Sequence, residues 1–248
     1  MSDLAGQVAV ITGASSGIGE AVAKDLRQAG LNLVISARRE DRLKELAGQI
    51  GQTTVVAGDI LDPDLPAKLI DTAVQTYGRC DVVFNNAGTL VISPLDEIDI
   101  DKVCHMVRIN VEAAFRMAHA ALMHFRKTSS ADNPGGDNAG HLINTSSIMG
   151  TKVRPTAGWY AGTKYALEAL CEALRMELAG TDIRISCIEP GLVVTELHND
   201  WPTPPAQVLN IPNPLVPEDI ARLVRFILEQ PKHVRLPRIM ILPGEHSI

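Results

Sequence analysis

Short runs of Val, Ile and Ala alternate along this chain with longer stretches in which apolar residues recur every three or four positions. The runs predict seven strands, at Val8–Ile11, Leu31–Ser36, Thr53–Ala57, Asp81–Asn85, His141–Ser146, Ile183–Ile188 and Ile239–Leu242. The stretches between them predict helices over Gly17–Ala29, Arg39–Ile50, Pro63–Tyr77, Ile100–Lys127, Ala157–Leu178 and Pro217–Glu229. Strands that alternate with helices, and that look apolar on both faces, imply an α/β fold: a doubly wound parallel sheet with helices on either side. Ligands of such sheets bind beyond the carboxyl ends of the strands. The residues that follow the runs are therefore the first place to look for chemistry. They are Gly13, Arg38, Asp59, Asn86, Ser147 and Pro190.

Composition narrows the class. With 248 residues, 46% of them hydrophobic and 21% charged, the chain has the apolar material for one large core, and a single domain over residues 1–248 is expected. A net charge of -6 disfavours nucleic acid as a partner, since that recognition rests on broad basic surfaces. No basic segment followed by a long apolar run opens the chain, and no 18-residue apolar span occurs. The expectation is a cytoplasmic protein without a membrane partner. Cys80, Cys104, Cys171 and Cys187 are scattered, without metal-like spacing, and read as reduced core residues; His105, His119 and His124 read as structural or surface residues, and no metal site is expected. Two irregular stretches stand out: a polar surface loop at 128–140, and a segment at 195–217 with six prolines, placed where a substrate lid would serve.

Thr12-Gly13-Ala14-Ser15-Ser16-Gly17-Ile18-Gly19 joins the first strand to the first helix. Its glycines let backbone amides come close to a pyrophosphate, and the helix dipole adds attraction. The spacing differs from the G-x-G-x-x-G dinucleotide fingerprint. At the end of the second strand, where many nicotinamide-binding sheets carry an acidic residue for the ribose 2′-hydroxyl, this chain has Arg38 and Arg39. Guanidinium groups favour a 2′-phosphate, so NADP is preferred over NAD, although Glu40 and Asp41 are close enough in sequence to compete for the arginines. Asp59, followed by Ile60, suits either the adenine amino group or a turn. Asn85-Asn86-Ala87-Gly88 ends the fourth strand with short amides that can pair loose backbone groups and hold the sheet edge open.

Ser147 ends the fifth strand, 13 residues before Tyr160, and Lys164 follows Tyr160 by four. On a helix the last two share a face, where an ammonium can lower the pKa of a phenol. The Ser147 hydroxyl is placed to hydrogen-bond a carbonyl oxygen; Ser146, its neighbour, should point the other way.

Taken in order, Thr-Gly-x-x-x-Gly-x-Gly, Asn-Asn-Ala-Gly, Ser before Tyr-x-x-x-Lys, and Pro-Gly after the sixth strand resemble the short-chain dehydrogenase/reductase family from about Gly6 to Thr195. The resemblance implies a Rossmann-type sheet and an NADP(H)-dependent oxidoreductase acting on a carbonyl or secondary alcohol. By it, Tyr160 is the general acid/base, Lys164 holds the nicotinamide ribose and tunes the phenol, Ser147 orients the carbonyl, and Asn110 positions a water for proton relay. Gly13, Ser15, Ser16, Gly17, Ile18, Gly19, Arg38, Arg39, Asp59, Ile60, Asn86, Ala87, Gly88, Tyr160 and Lys164 would bind the cofactor. Pro190, Gly191, Val193 and Thr195 would bracket its nicotinamide. A homodimer or homotetramer is implied as well, through the helices after Ile100 and Ala157; the length of the 128–140 loop departs from the family.

Val91, Ile92, Met149, Val153, Trp159, Leu192, Leu197 and Trp201 flank these motifs and are candidate substrate contacts, which suits a ketone or alcohol with hydrocarbon surface. Lys152, Arg154 and His198 keep a hydroxy acid open. Two other readings stand beside the oxidoreductase: a non-catalytic sensor of nicotinamide redox state, and a sugar-nucleotide epimerase or dehydratase, which shares Tyr-x-x-x-Lys but usually has a larger C-terminal substrate region.

Overall fold

The structure, a computed structural model, describes residues 4–128, 140–199, 201 and 203–246. Seven parallel strands form one sheet: β1 (Val8–Thr12), β2 (Asn32–Ala37), β3 (Thr53–Ala57), β4 (Val82–Asn85), β5 (His141–Thr145), β6 (Arg184–Pro190) and β7 (Arg238–Ile241). Their order across the sheet is β3-β2-β1-β4-β5-β6-β7. The chain winds outward from β1 to β3, then crosses back to place β4 on the other side of β1. That reversal opens a crevice at the carboxyl ends of β1 and β4.

The helices are α1 (Gly17–Gln28), α2 (Glu40–Ile50), α3 (Leu65–Tyr77), α4 (Ile100–Val107), α5 (Ala114–Thr128), α6 (Gly158–Glu177), α7 (Pro205–Val208) and α8 (Pro217–Leu228). Alternate strand residues feed two cores. Ala9, Ile11, Leu33, Ile35 and Phe84 pack with Leu26 of α1, Leu43 of α2 and Val224 of α8. Val8, Val10, Val34, Val83 and Leu142 face the opposite way, against Leu69 of α3, Phe125 of α5 and Leu167 of α6. A period of two with both faces buried explains why β1 is buried at all five positions and reads in sequence as an unbroken apolar run.

Three elements differ from expectation. The helix predicted over Ile100–Lys127 is divided by a π-helical turn at Arg108–Ala113, because periodicity cannot register one widened turn. β6 runs two residues past Ile188, to Pro190, and pairs there with Ile241 at the end of β7. The proline-rich 195–217 stretch, of which residues 200 and 202 are not described, contains a 3₁₀ turn (Glu196–His198) and α7, and is tied down by a bridge from Val193 to Leu215. The 128–140 loop falls almost wholly outside the described residues. Cys80, Cys171 and Cys187 are buried as expected, but Cys104 is exposed, since its position on α4 faces away from both cores. No described helix is long and apolar enough to cross a membrane.

Candidate active site

The crevice holds a cleft of about 580 Å³ that runs from the end of β2 to the turn after β6. Its floor is the glycine turn. Gly13 has a φ of 68°, and a side chain there would meet the Ala87 Cα and the Asn86 amide at 3.0 Å. Gly19, in the first turn of α1, packs so closely under the Gly13 carbonyl that a Cβ would collide with backbone. Ser16 precedes α1 in extended conformation and gives it no side-chain cap, so the first-turn amides have no competing acceptor from that side chain. A tight turn, uncapped amides and a helix N-terminus are the features a pyrophosphate requires.

Asn86 braces this floor. Its backbone N–H donates to Thr12 Oγ1 at 3.0 Å, its Nδ2 to the Thr12 carbonyl at 3.1 Å, and its Oδ1 accepts from Thr145 Oγ1 at 3.0 Å. One side chain thus ties the ends of β1, β4 and β5 together. Asn85 lies below it, buried, donating to Asn144 and to the Ala114 carbonyl.

Arg39 turns inward from the end of β2. Its Nε and Nη2 donate to Ser15 Oγ at 3.1 and 3.0 Å, and its Nη2 donates to Ser16 Oγ at 2.7 Å. Neither Glu40 nor Asp41 pairs with it; Glu40 bonds Lys44 one turn along α2, and Arg39 bonds Glu196 instead. Arg38 lines the cleft and stands exposed. Asp59 also lines the cleft, but its Oδ1 accepts from the Leu61 N–H at 3.0 Å, which is the turn alternative.

At the other end of the cleft, Ser147 caps the 3₁₀ turn Ile148–Gly150 and its hydroxyl lies against the Tyr160 phenol. Ser146 points away: its Oγ is buried beside Gly150 and has no partner among the described residues. Lys164, one helical turn beyond Tyr160, donates to the Thr145 carbonyl at 2.8 Å, with Nζ 5.8 Å from the centre of the phenol ring. The pair's electrostatics differ from expectation. Burial pushes the Tyr160 phenol up to about 12, only partly countered by Ser147, and pushes the Lys164 ammonium down to about 8 against the favourable fields of Cys187 and Glu168. Sharing a helix face does not by itself lower the phenol, because the enclosure that brings the two together strips water from both.

Asn110 sits in the π turn, buried behind the cleft wall. Its Nδ2 donates to the Thr89 carbonyl at 2.8 Å and to Thr163 Oγ1 at 3.2 Å, and its Oδ1 accepts from the Thr89 N–H at 2.9 Å. The widened turn is what aims this amide at Thr89. Of the residues expected in the site, only Asn110 and Gly19 do not line the cleft; Gly13, Ser15, Ser16, Gly17, Ile18, Arg38, Arg39, Asp59, Ile60, Asn86, Ala87, Gly88, Ser147, Tyr160, Lys164, Pro190, Gly191, Val193 and Thr195 all do. Among the expected substrate contacts, Ile92, Met149, Arg154, Leu192, Leu197, His198 and Trp201 line it, whereas Val91, Lys152, Val153 and Trp159 do not. Val153, in the turn before α6, is 69% exposed, and Trp159, in the first turn of α6, is 42% exposed.

The cleft also contains residues that the sequence did not single out. His105, expected to be structural, lines it, as does His246 near the chain end, whose Nδ1 rests against Gly191. Glu196 and Arg42 join Arg39 at the outer rim. Glu196 follows Thr195 directly, but nothing local announces a partner 157 positions away.

The family model for short chain dehydrogenases matches residues 7–205. The chain belongs to this family. An uncharacterized oxidoreductase of Staphylococcus aureus (strain MRSA252) is 35% identical over 246 residues, spanning 98% of this chain and all of that protein. Among solved structures, an alcohol dehydrogenase from Thermococcus sibiricus complexed with 5-hydroxy-NADP superposes with a TM-score of 0.84 at 29% identity, covering 98% of each chain. A 3-ketoacyl-(acyl-carrier-protein) reductase from Brucella melitensis complexed with NADH gives 0.86 at 27% identity, covering 97% of this chain and 98% of that one. The chain is accordingly an oxidoreductase of the short chain dehydrogenase family, and its sheet is the Rossmann-like sheet of these neighbours.

Proposed function

We propose that the protein is an NADP(H)-dependent carbonyl reductase or alcohol dehydrogenase, working from a single domain. The observation that carries this reading is the convergence of Ser147, Tyr160 and Lys164 at one end of a cleft whose other end holds Arg38, Arg39, Ser15 and Ser16. The glycine turn and the α1 N-terminus would hold the pyrophosphate, the two arginines the 2′-phosphate, and Lys164 the nicotinamide ribose. A bound nicotinamide supplies or accepts the hydride. Ser147 would donate a hydrogen bond to the substrate oxygen, and Tyr160, kept protonated by burial, would deliver its proton to that oxygen in reduction. Asn110 would act by holding the Thr89 backbone and the α4–α5 junction in place.

The substrate reading that fits best is a carbonyl or hydroxy compound with an apolar body and an anionic group. Ile92, Met149, Leu192 and Leu197 supply apolar wall. Arg154 Nε, His198 Nδ1 and His246 Nδ1 are buried in the same cleft without a protein partner among the described residues, and a carboxylate would satisfy them. An apolar groove of about 330 Å³ along α5 and α6, lined by Phe115, Met123, Leu170 and Leu174, supports self-association as well.

The test is nicotinamide absorbance followed over matched panels of neutral ketones and keto acids, with NADPH and NADH, for wild type and Tyr160→Phe. Turnover that persists in Tyr160→Phe, or that prefers NADH, would count against the corresponding half of the reading.

A further inference from the structure

The Glu196 carboxylate reaches from the 3₁₀ turn after β6 back to the end of β2. One oxygen accepts from Arg39 Nη1 at 2.7 Å and the other from Arg42. Arg39 directs its remaining donors to Ser15 and Ser16 in the glycine turn. A carboxylate, two guanidinium groups and two hydroxyls therefore form one cluster at the rim of the cleft. The guanidinium groups and hydroxyls are the donors a ribose 2′-phosphate needs, and here an anion of the protein already engages both arginines.

We propose that Glu196 is a built-in competitor for the 2′-phosphate, and so a residue that sets cofactor specificity: NADP(H) must displace it from Arg39, and NAD(H) need not. The inference rests on the cofactor reading above, and goes beyond it by assigning a role to a residue outside the phosphate-binding turn. Three observations bear on how it works. The two arginines hold Glu196 down at about 2, so the competing anion is charged throughout the neutral range. The pair is open to water, with Arg39 40% and Glu196 39% exposed, which makes the contact weak enough to exchange rather than block. Arg38 has no ion pair among the described residues and remains available to the phosphate from the start, so entry does not have to wait for Glu196 to leave.

A 2′-hydroxyl can donate to the same carboxylate, so the competition acts on one cofactor only, or favours the other. Losing one exposed pair of this kind corresponds to a change in affinity of up to about fivefold. Glu196 lies on the surface, and Glu196→Gln keeps its size while removing its charge.

Calorimetric titration of wild type and Glu196→Gln with NADP⁺ and with NAD⁺ decides the matter. NADP⁺ should bind the variant roughly 2- to 5-fold more tightly, with NAD⁺ unchanged or weaker. An NADP⁺ affinity that stays the same or falls, or a gain shared equally by NAD⁺, overturns the proposal. The wild type's own preference tests the cofactor reading separately. A wild type that favours NAD⁺, with a variant that gains NADP⁺ affinity, would sink that reading and uphold this one.

Discussion

Lys164 reaches across the end of β5 to donate a 2.8 Å hydrogen bond to the Thr145 carbonyl, and this anchor sets its ammonium 5.8 Å from the centre of the Tyr160 ring. The bond fixes where the charge sits, and burial fixes what it costs. In the fold burial brings the Lys164 ammonium down to about 8, from an ordinary value of 10.5. Below about 8 both folded and unfolded chains carry the charge, and the full burial penalty is present. Between about 8 and 10.5 the unfolded chain binds the extra proton, so stability rises with pH. Tyr160, pushed up to about 12, acts in the opposite sense only above 10. Denaturant titrations from about pH 7 to 10 should show wild type gaining roughly 2–3 kcal/mol relative to Lys164→Met, the buried Cys80 and Cys187 thiols, both raised, acting in the opposite sense above about 9 in the two proteins alike. A parallel rise in both proteins would assign it elsewhere.

Tyr160→Phe removes the proposed proton donor while keeping the ring. Turnover should fall by at least about 100-fold, with cofactor affinity changed by less than about threefold. Single-turnover kinetics together with calorimetry separate the two effects.

Asn110→Ala should destabilise the protein by about 2–4 kcal/mol, because it leaves the Thr89 N–H and carbonyl without their partner, while the Thr163 hydroxyl keeps its bond to the Tyr160 carbonyl. Urea denaturation gives the magnitude. A cost below about 1 kcal/mol would mean that water replaces the amide freely and that the π turn is not held by it.

Two glycines should respond with opposite signs. Gly19→Ala drives a methyl into the Gly13 carbonyl and should abolish cofactor binding, or folding altogether. Gly48 lies exposed inside α2 with nothing within 4 Å of a Cβ, so Gly48→Ala should stabilise by about 0.5–1 kcal/mol. Thermal melts of the two variants check both expectations.

Behind Lys164, Glu168 and Glu189 are buried side by side, with Arg238 Nε 3.1 Å from one and 3.2 Å from the other. Burial, then Glu168, raises the Glu189 pKa. Arg238→Met should cost about 3 kcal/mol near pH 8. The loss should shrink toward about pH 5, because Glu189 takes up a proton above the ordinary carboxylate range and the repulsion is relieved. An equal loss at both pH values would trace the effect to packing of the arginine stem.

The sheet could be read from the sequence because strands buried on both faces leave unbroken apolar runs, as Val8–Ile11 does, and the tight turn after β1 could be read because close backbone approach at Gly13 and Gly19 tolerates no side chain. What escaped depends on distance through space or on geometry within a regular pattern. The π turn at Arg108–Ala113 preserves helical periodicity on either side and so leaves no mark. Glu196 finds Arg39 only once β6 and β2 end at the same edge of the sheet. The Tyr160–Lys164 spacing correctly placed the two together at one end of the cleft, but spacing contains no measure of burial, and burial decides both proton affinities.

The crossing of the chain between β3 and β4 divides the labour of the molecule. The arginines and hydroxyls that would grip a 2′-phosphate come from residues before Ile60, the proposed proton donor and its helpers come from residues after Asn86, and Glu196 reaches from the second group into the first. A graft that exchanges the first sixty or so positions for those of a relative with a different nucleotide taste would have to preserve the β1–β4 pairing, the packing of α1 on α8 and the contacts of Arg39 and Arg42 with Glu196. On that account a transfer of nucleotide taste has to carry position 196 along with the first sixty residues.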